Sequence, residues 1–266
     1  MSRIEELSSM LHLPRFRESY LELSKHAADK NYSYTEYLEA LLEEEVAARA
    51  ESRLKRMIKE ARFPYIKTID EFDFSFQNSL KRQVITNYCS CEFIERGEGL
   101  VLCGAAGLGK THLSIAIGIK ATQKGYSVYF VTATEMINSL NNAYKSERLD
   151  DALKPYLRCD LLICDELGYL PYVKNVANLL FLVISGRYEK KSTIITTNKE
   201  LSAWGEVLYD NSLATSILDR LLHHGEVYYL KGESYRLKDK KRFQFKTIEK
   251  QNKDKEDVDK TSDTAI

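Results

Sequence analysis

Residues 104–111 read Gly-Ala-Ala-Gly-Leu-Gly-Lys-Thr and satisfy G-x-x-x-x-G-K-[ST] at every fixed position. No other stretch restricts the fold so tightly, because the pattern works only between two particular elements. An apolar strand must lead in. A helix must lead out, with its first N–H groups facing the loop. Leu100-Val101-Leu102-Cys103 reads as that strand, and His112–Thr122 as that helix. The glycines let the backbone curl so that its N–H groups point at phosphate oxygens. Lys110 then reaches the β and γ phosphates of a nucleotide, and the Thr111 hydroxyl ligates Mg²⁺.

A second element fits the first. Leu161-Leu162-Ile163-Cys164-Asp165-Glu166 is an apolar strand ending in two carboxylates, with Asp165 lying 55 positions after Lys110. At a strand's carboxyl end, Asp165 can support the metal shell and Glu166 can polarise a water for in-line attack on the γ phosphate. Adjacent acidic residues there are also compatible with a helix cap. A third apolar run, 192–197, ends at Asn198, whose amide can orient the water or touch the γ phosphate, or simply form a turn. Short apolar runs at 99–104, 127–132, 161–164, 193–197 and 227–230 alternate with helical stretches. That alternation predicts an α/β fold with a parallel sheet covered on both faces.

The 266 residues are 44% hydrophobic and 29% charged, enough for one substantial domain and a small one. Thirty-nine basic and 39 acidic side chains exclude a globally basic nucleic-acid binder but not local basic patches. No apolar run approaches the length of a membrane span. The N-terminus lacks a signal-peptide pattern, so the expected compartment is the cytoplasm. Residues 3–62 read as a small all-helical domain, with apolar spacing at Ile4, Leu7, Leu11 and Leu13, continued by Phe16, Tyr20 and Leu23. Ser33 and Glu36 stand at capping-box spacing before its longest helix. That helix ends in Arg49, Arg53, Lys55, Arg56, Lys59 and Arg62, a cluster that suits either the helix dipole or DNA. Residues 63–75, opening with Phe-Pro-Tyr, are expected to join the two domains. Phe72, Phe74 and Phe76 fit either a base-binding surface or the core. Residues 134–158 form a helical insert carrying Lys145, Arg148, Lys154 and Arg158, and 246–266 read as a disordered charged tail. Five cysteines, 89, 91, 103, 159 and 164, suggest neither a disulfide framework nor a complete four-ligand metal site, and read as buried thiols.

Together these residues resemble the AAA+ ATPases, a class of P-loop NTPases, and within them the clade of IstB and DnaC. Gly104–Thr111 matches Walker A, Leu161–Glu166 matches Walker B, and Thr196-Thr197-Asn198 matches sensor 1. Glu-Leu-Gly-Tyr at 166–169, Ser-Ile-Leu-Asp-Arg-Leu-Leu-His-His at 216–224 and Gly-Glu-Ser-Tyr-Arg at 232–236 resemble the IstB side more closely. So do Leu-His-Leu-Pro-Arg-Phe near the N-terminus and the segment 63–74. The resemblance covers residues 1–245. It implies a partner- or DNA-binding domain over 1–62, an ATPase domain over 63–245, and Mg²⁺-dependent hydrolysis of ATP to ADP and phosphate. Gly104, Ala105, Ala106, Gly107, Leu108, Gly109, Lys110, Thr111 and His112 would contact nucleotide, with Thr111 and Asp165 on the metal. Lys110, Asp165, Glu166 and Asn198 would serve hydrolysis.

The resemblance also implies a homo-oligomer with ATP between subunits. Arg220 matches the arginine finger of a neighbouring subunit, with Arg187 as the rival, and Arg236 matches sensor 2, although little sequence follows it to build a helical lid. The implied partners are duplex DNA, contacted through Lys145, Arg148 and Lys154 of the insert, and the transposase of the same element. The alternatives are a helicase loader acting on single-stranded DNA and, from a different class, an ATP-gated DNA scaffold.

Overall fold

A computed structural model describes residues 2–171 and 175–237. The expected tail over 246–266 and the end of the expected ATPase domain, 238–245, lie outside the described residues. The chain divides into two compact units, one up to Glu60 and the other from Ala61 onward.

The first unit holds α1 (Arg3–Met10), α2 (Pro14–Asp29) and α3 (Tyr34–Glu60). Each start has a local cause. Ser2 and Glu5 form a capping box on α1, and Pro14 occupies the first position of α2. Before α3, the Glu36 N–H donates to Ser33 Oγ at 3.2 Å and the Ser33 N–H to Glu36 Oε2 at 2.6 Å, the expected box. Turns are made by His12 and Asn31, both in left-handed backbone. Tyr20, Ala27 and Leu41 are buried between the helices, whereas Ile4, Leu7 and Leu11, which share the apolar spacing, are exposed. Glu45 is buried too. Its carboxylate accepts the N–H groups of Arg15 (2.9 Å) and Phe16 (3.1 Å), which open α2, and pairs with Arg49 at 2.8 Å. Burial alone would raise this carboxyl, but the guanidinium and the two N–H groups hold it below the usual range.

The second unit is built on five parallel strands: β1 (Gly99–Gly104), β2 (Val128–Thr132), β3 (Leu161–Asp165), β4 (Ser192–Thr197) and β5 (Gly225–Leu230). Their spatial order is β2-β3-β4-β1-β5, each pair parallel. The strands expected from the sequence stand within a residue or two of these bounds. Side-chain alternation sends Leu161 and Ile163 into one core layer and Leu162 and Cys164 into the other, so both faces are covered. One layer is roofed by α4 (Arg82–Cys89), α5 (Glu92–Glu95) and α6 (Lys110–Gln123). The other is roofed by α7 (Ala133–Lys145), α8 (Leu149–Arg158), α9 (Val176–Arg187), α10 (Trp204–Leu208) and α11 (Asn211–His223). Leu113, Ile115 and Ile117 on α6 are fully buried, each worth roughly 1.5–3 kcal/mol of burial.

Residues 63–75, expected as a join, are built into this second unit. The Phe130 N–H donates to Ala61 O at 2.8 Å, Phe63 meets Phe130 edge-on, and Ile69 is buried. Phe74 packs on the core and Phe72 bridges from it to the glycine loop. All five cysteines are free thiols, and only Cys89 is not fully buried. Burial pushes the Cys164 thiol up to about 12 and that of Cys89 up to about 11. No described helix is long and apolar enough to cross a membrane.

Candidate active site

The carboxyl ends of β1, β3 and β4 lie side by side, and the chemistry-bearing residues sit just past them. β1 ends at Gly104, and the loop turns through Gly107 (φ 83°) and Gly109 (φ 89°) into α6, whose first residue is Lys110. Glycine is required at both positions. At Gly109 a Cβ would stand 2.5 Å from the Phe72 ring, and at Gly107 it would stand 2.0 Å from Ser234 Oγ. The loop is therefore clasped from two directions. The 63–75 segment supplies Phe72, and the segment after β5 lays Ser234 and Tyr235 against it, with the Tyr235 N–H donating to Gly107 O at 2.9 Å.

Between these walls lies a cavity of about 390 Å³. Ala106, Gly107, Leu108, Gly109, Lys110, Thr111 and His112 line it, together with Glu166, Asn198 and Arg236. Gly104 and Ala105 stand behind the loop, and their carbonyls accept the Lys110 ammonium at 2.6 and 2.8 Å. Burial lowers the Lys110 ammonium, against the pull of the Asp165 carboxylate. The His112 ring stays on its own chain, bonded to Thr68 O at 2.8 Å and edge-on to Phe72. Phe72, Phe76 and Tyr65 also line the cavity, so two of the three sequence-flagged phenylalanines face it and Phe74 does not.

Asp165 lies behind Thr111, whose hydroxyl is 2.9 and 3.0 Å from its two carboxylate oxygens. Asp165 is 4% exposed, and burial raises its carboxyl, opposed by the hydroxyls of Thr196 and Thr111. A hydroxyl and a carboxylate converging at a strand end form an all-oxygen donor set that fits a small hard cation. Glu166 follows in left-handed backbone (φ 60°), which costs a non-glycine residue about 1–2 kcal/mol. Its side chain is exposed to the cavity, where a water can be reached. Asn198 Oδ1 is buried without a hydrogen-bond partner, packed against Gly168. An orphaned buried acceptor at the cavity wall is the kind of group that an occupant or an ordered water satisfies.

The two candidate fingers fare differently. Arg187 is 1% exposed and spent on structure: its guanidinium donates to the carbonyls of Tyr156, Cys159, Asp160 and Ser192 and to Thr193 Oγ1. It tethers the α8–β3 turn to the start of β4 and presents nothing to a neighbour. Arg220 is partly exposed on α11. It makes no ion pair with Asp219 or Glu226, but donates to Ser216 O at 2.9 Å and covers the rings of Phe181 (4.7 Å) and Tyr188 (5.9 Å). One turn on, α11 leads into Gly225, which pairs with Gly99 at the start of β1. Arg220 thus sits toward the amino end of the sheet, opposite the cavity of its own chain. Lys145, Arg148, Lys154 and Arg158 are all exposed on α7, α8 and the turn between them, with Lys154 paired to Asp151. In the basic half of α3, Arg49, Lys55 and Arg56 pair with glutamates of the same helix.

Tyr65, Thr196 and Ser234 stand inside stretches that carry the resemblance, but sequence reasoning gave none of them a role in the site.

The family model of the IstB-like ATP-binding proteins matches residues 6–243. The chain is 42% identical over 239 residues to the ATP-binding protein of insertion sequence IS5376 of Geobacillus stearothermophilus, covering 90% of this chain and 95% of that one. It is 40% identical over 242 residues to the ATP-binding protein of IS21 of Pseudomonas aeruginosa, covering 91% of each. Among solved structures, the DnaC helicase loader superposes with a TM-score of 0.52 at 25% identity, covering 62% of this chain and 96% of that one. The chain therefore belongs to the IstB-like family of ATP-binding proteins and is an AAA+ ATPase.

Proposed function

We propose that this ATPase is the helper protein of a transposable element, which assembles on duplex DNA with its nucleotides shared between copies and brings the element's transposase to a target. The observation that carries the reading is the position of Arg220. A cation at the amino end of the sheet cannot reach its own phosphate cavity, but it can enter a neighbour's. The insertion-sequence relatives support the link to transposition.

In this reading Lys110 leaves the carbonyls of Gly104 and Ala105 for the β and γ phosphates, and the loop N–H groups hold the remaining oxygens. Thr111 and Asp165 would hold Mg²⁺, which would supply positive charge to offset that of the phosphates. Glu166 takes the proton of the attacking water, and Asn198 Oδ1 accepts from that water and fixes its line of attack. Arg236 approaches the γ phosphate from its own chain, and Arg220 of the next copy meets charge developing in the transition state. Lys145, Arg148 and Lys154 contact DNA phosphates, giving affinity without sequence choice. The helical unit up to residue 60 serves partner or DNA contact.

The test is the ATPase rate per subunit against protein concentration, with and without long duplex. The reading expects the rate to climb with both. A rate indifferent to duplex, or raised only by single strands, would favour the helicase-loader alternative, which the similarity to DnaC supports. Native DNA-linked function in Glu166→Gln would favour a scaffold that binds ATP without needing hydrolysis.

A further inference from the structure

We infer that Thr196 is a positioning residue for hydrolysis, joining the metal-side carboxylate of Asp165 to the backbone of Glu166 through one hydroxyl. The inference rests on Glu166 being the water-activating group proposed above. Thr196 is 1% exposed on β4, between β3 and β1. Its hydroxyl has one hydrogen and two lone pairs, and both functions are used. The hydrogen goes to Asp165 Oδ1, and a lone pair accepts the Glu166 N–H at 2.9 Å. The Thr196 carbonyl then accepts the Leu167 N–H at 2.9 Å. Three consecutive residues leaving β3 are thus fixed to a single residue of the neighbouring strand.

The bond to Glu166 matters because β3 stops there. The regular ladder between β3 and β4 pairs Cα positions only as far as Cys164 with Ile195. Beyond it Glu166 takes up left-handed backbone, a conformation that persists only where the surroundings dictate it. The Thr196 hydroxyl holds it from the amide side, the Tyr169 N–H donates to Glu166 O at 3.2 Å from the other, and the Thr196 carbonyl fixes Leu167 beyond, which together set where the Glu166 side chain enters the cavity. The same hydroxyl restrains Asp165, whose other contact is Thr111. One hydroxyl therefore keeps the metal donor and the water activator in register.

The experiment compares Thr196→Val, Thr196→Ser, Glu166→Gln and the Glu166→Gln/Thr196→Val double variant in the full chain. It reads kcat and KM for ATP, the Kd of a fluorescent ATP analogue, and thermal melting. Valine keeps the shape and deletes the hydroxyl; serine keeps the hydroxyl and deletes a methyl. The expected result is a kcat at least tenfold lower in Thr196→Val with KM and Kd within twofold of native. Thr196→Ser should recover most of that loss, and the double variant should be no slower than Glu166→Gln alone. Native kcat in Thr196→Val beside an inactive Glu166→Gln would overturn the positioning role and leave the Glu166 reading standing. Equal losses in valine and serine would also overturn it, since packing rather than the hydroxyl would then be responsible. Native kcat in Glu166→Gln would instead refute the Glu166 reading, and the inference with it.

Discussion

Replacing Arg187 with methionine removes a guanidinium that is 1% exposed while keeping a side chain of similar length. The carbonyls of Tyr156 and Ser192, each 2.5 Å from the guanidinium, lose their donor, as does that of Cys159 at 2.9 Å. No carboxylate contacts the charge directly, and burial lowers its pKa, so the group is held by carbonyl dipoles together with the Thr193 hydroxyl and the Cys159 sulfur. Breaking such a buried charged network from one side costs ~3–5 kcal/mol, of which methionine's apolar contacts recover a little. At about 2–4 °C per kcal/mol for a unit of this size, the melting temperature should fall by roughly 10 °C. Calorimetry of the full chain reads the shift directly. ATP hydrolysis per folded molecule, measured well below the transition, should stay near native because Arg187 touches no part of the cavity. A melting temperature within about 2 °C of native would refute the structural role. Native melting with hydrolysis abolished would return Arg187 to the candidates for the trans-acting cation.

Gly109→Ala puts a methyl 2.5 Å from the Phe72 ring at φ 89°, so ATP affinity in a fluorescence titration should fall by about tenfold or more. Adding Phe72→Ala should restore part of it if the clash is the cause. Labelling with a thiol-reactive disulfide should be slow at pH 8, because a Cys89 thiol near 11 is ionised in only about one molecule in a thousand and the other four cysteines are buried. The rate at Cys89 should rise about tenfold per pH unit up to that value. Glu45→Ala should destabilise the first unit by ~1–2 kcal/mol, since two helix-opening N–H groups and Arg49 lose their acceptor. Because the folded carboxyl is held below its unfolded value, its contribution is present above about pH 4 and is lost as the solution is acidified through the folded value. Circular dichroism against pH, native beside Glu45→Ala, should therefore converge in acid.

The parts of the fold that were legible in the sequence are those where one physical demand dictates local composition. A strand covered on both faces is apolar along its length, which made β3 legible as a continuous run, and the shorter or mixed runs of β2, β4 and β5 were legible from their alternation with helical stretches. The glycine loop needs its neighbours in order, which fixed β1 and α6. The capping box at Ser33 and Glu36 is a local reciprocal bond and is visible as spacing. What stayed hidden depends on long-range contact. Residues 63–75 look like a linker because Pro64 breaks the helix, yet Phe72 reaches Gly109, 37 positions away in sequence. Ser234 is an ordinary polar residue until β5 carries it onto Gly107. Arg187 stands just before a strand, where the sequence offers it as a functional arginine, and only the tertiary fold surrounds it with carbonyls. The exposed Ile4, Leu7 and Leu11 show the limit of spacing, which marks a shared face but not what covers it.

Mixing two inactive variants tests the claim that Arg220 completes a neighbour's site. Lys110→Ala lacks a working phosphate loop but keeps its arginine; Arg220→Ala keeps the loop and lacks the arginine. In a 1:1 mixture with duplex present, about a quarter of interfaces should pair an intact loop with an intact arginine, so hydrolysis should return to about a quarter of the native rate per subunit. A mixture that stays as inactive as its parts, while both variants fold and Arg220→Ala still binds ATP, would contradict the claim.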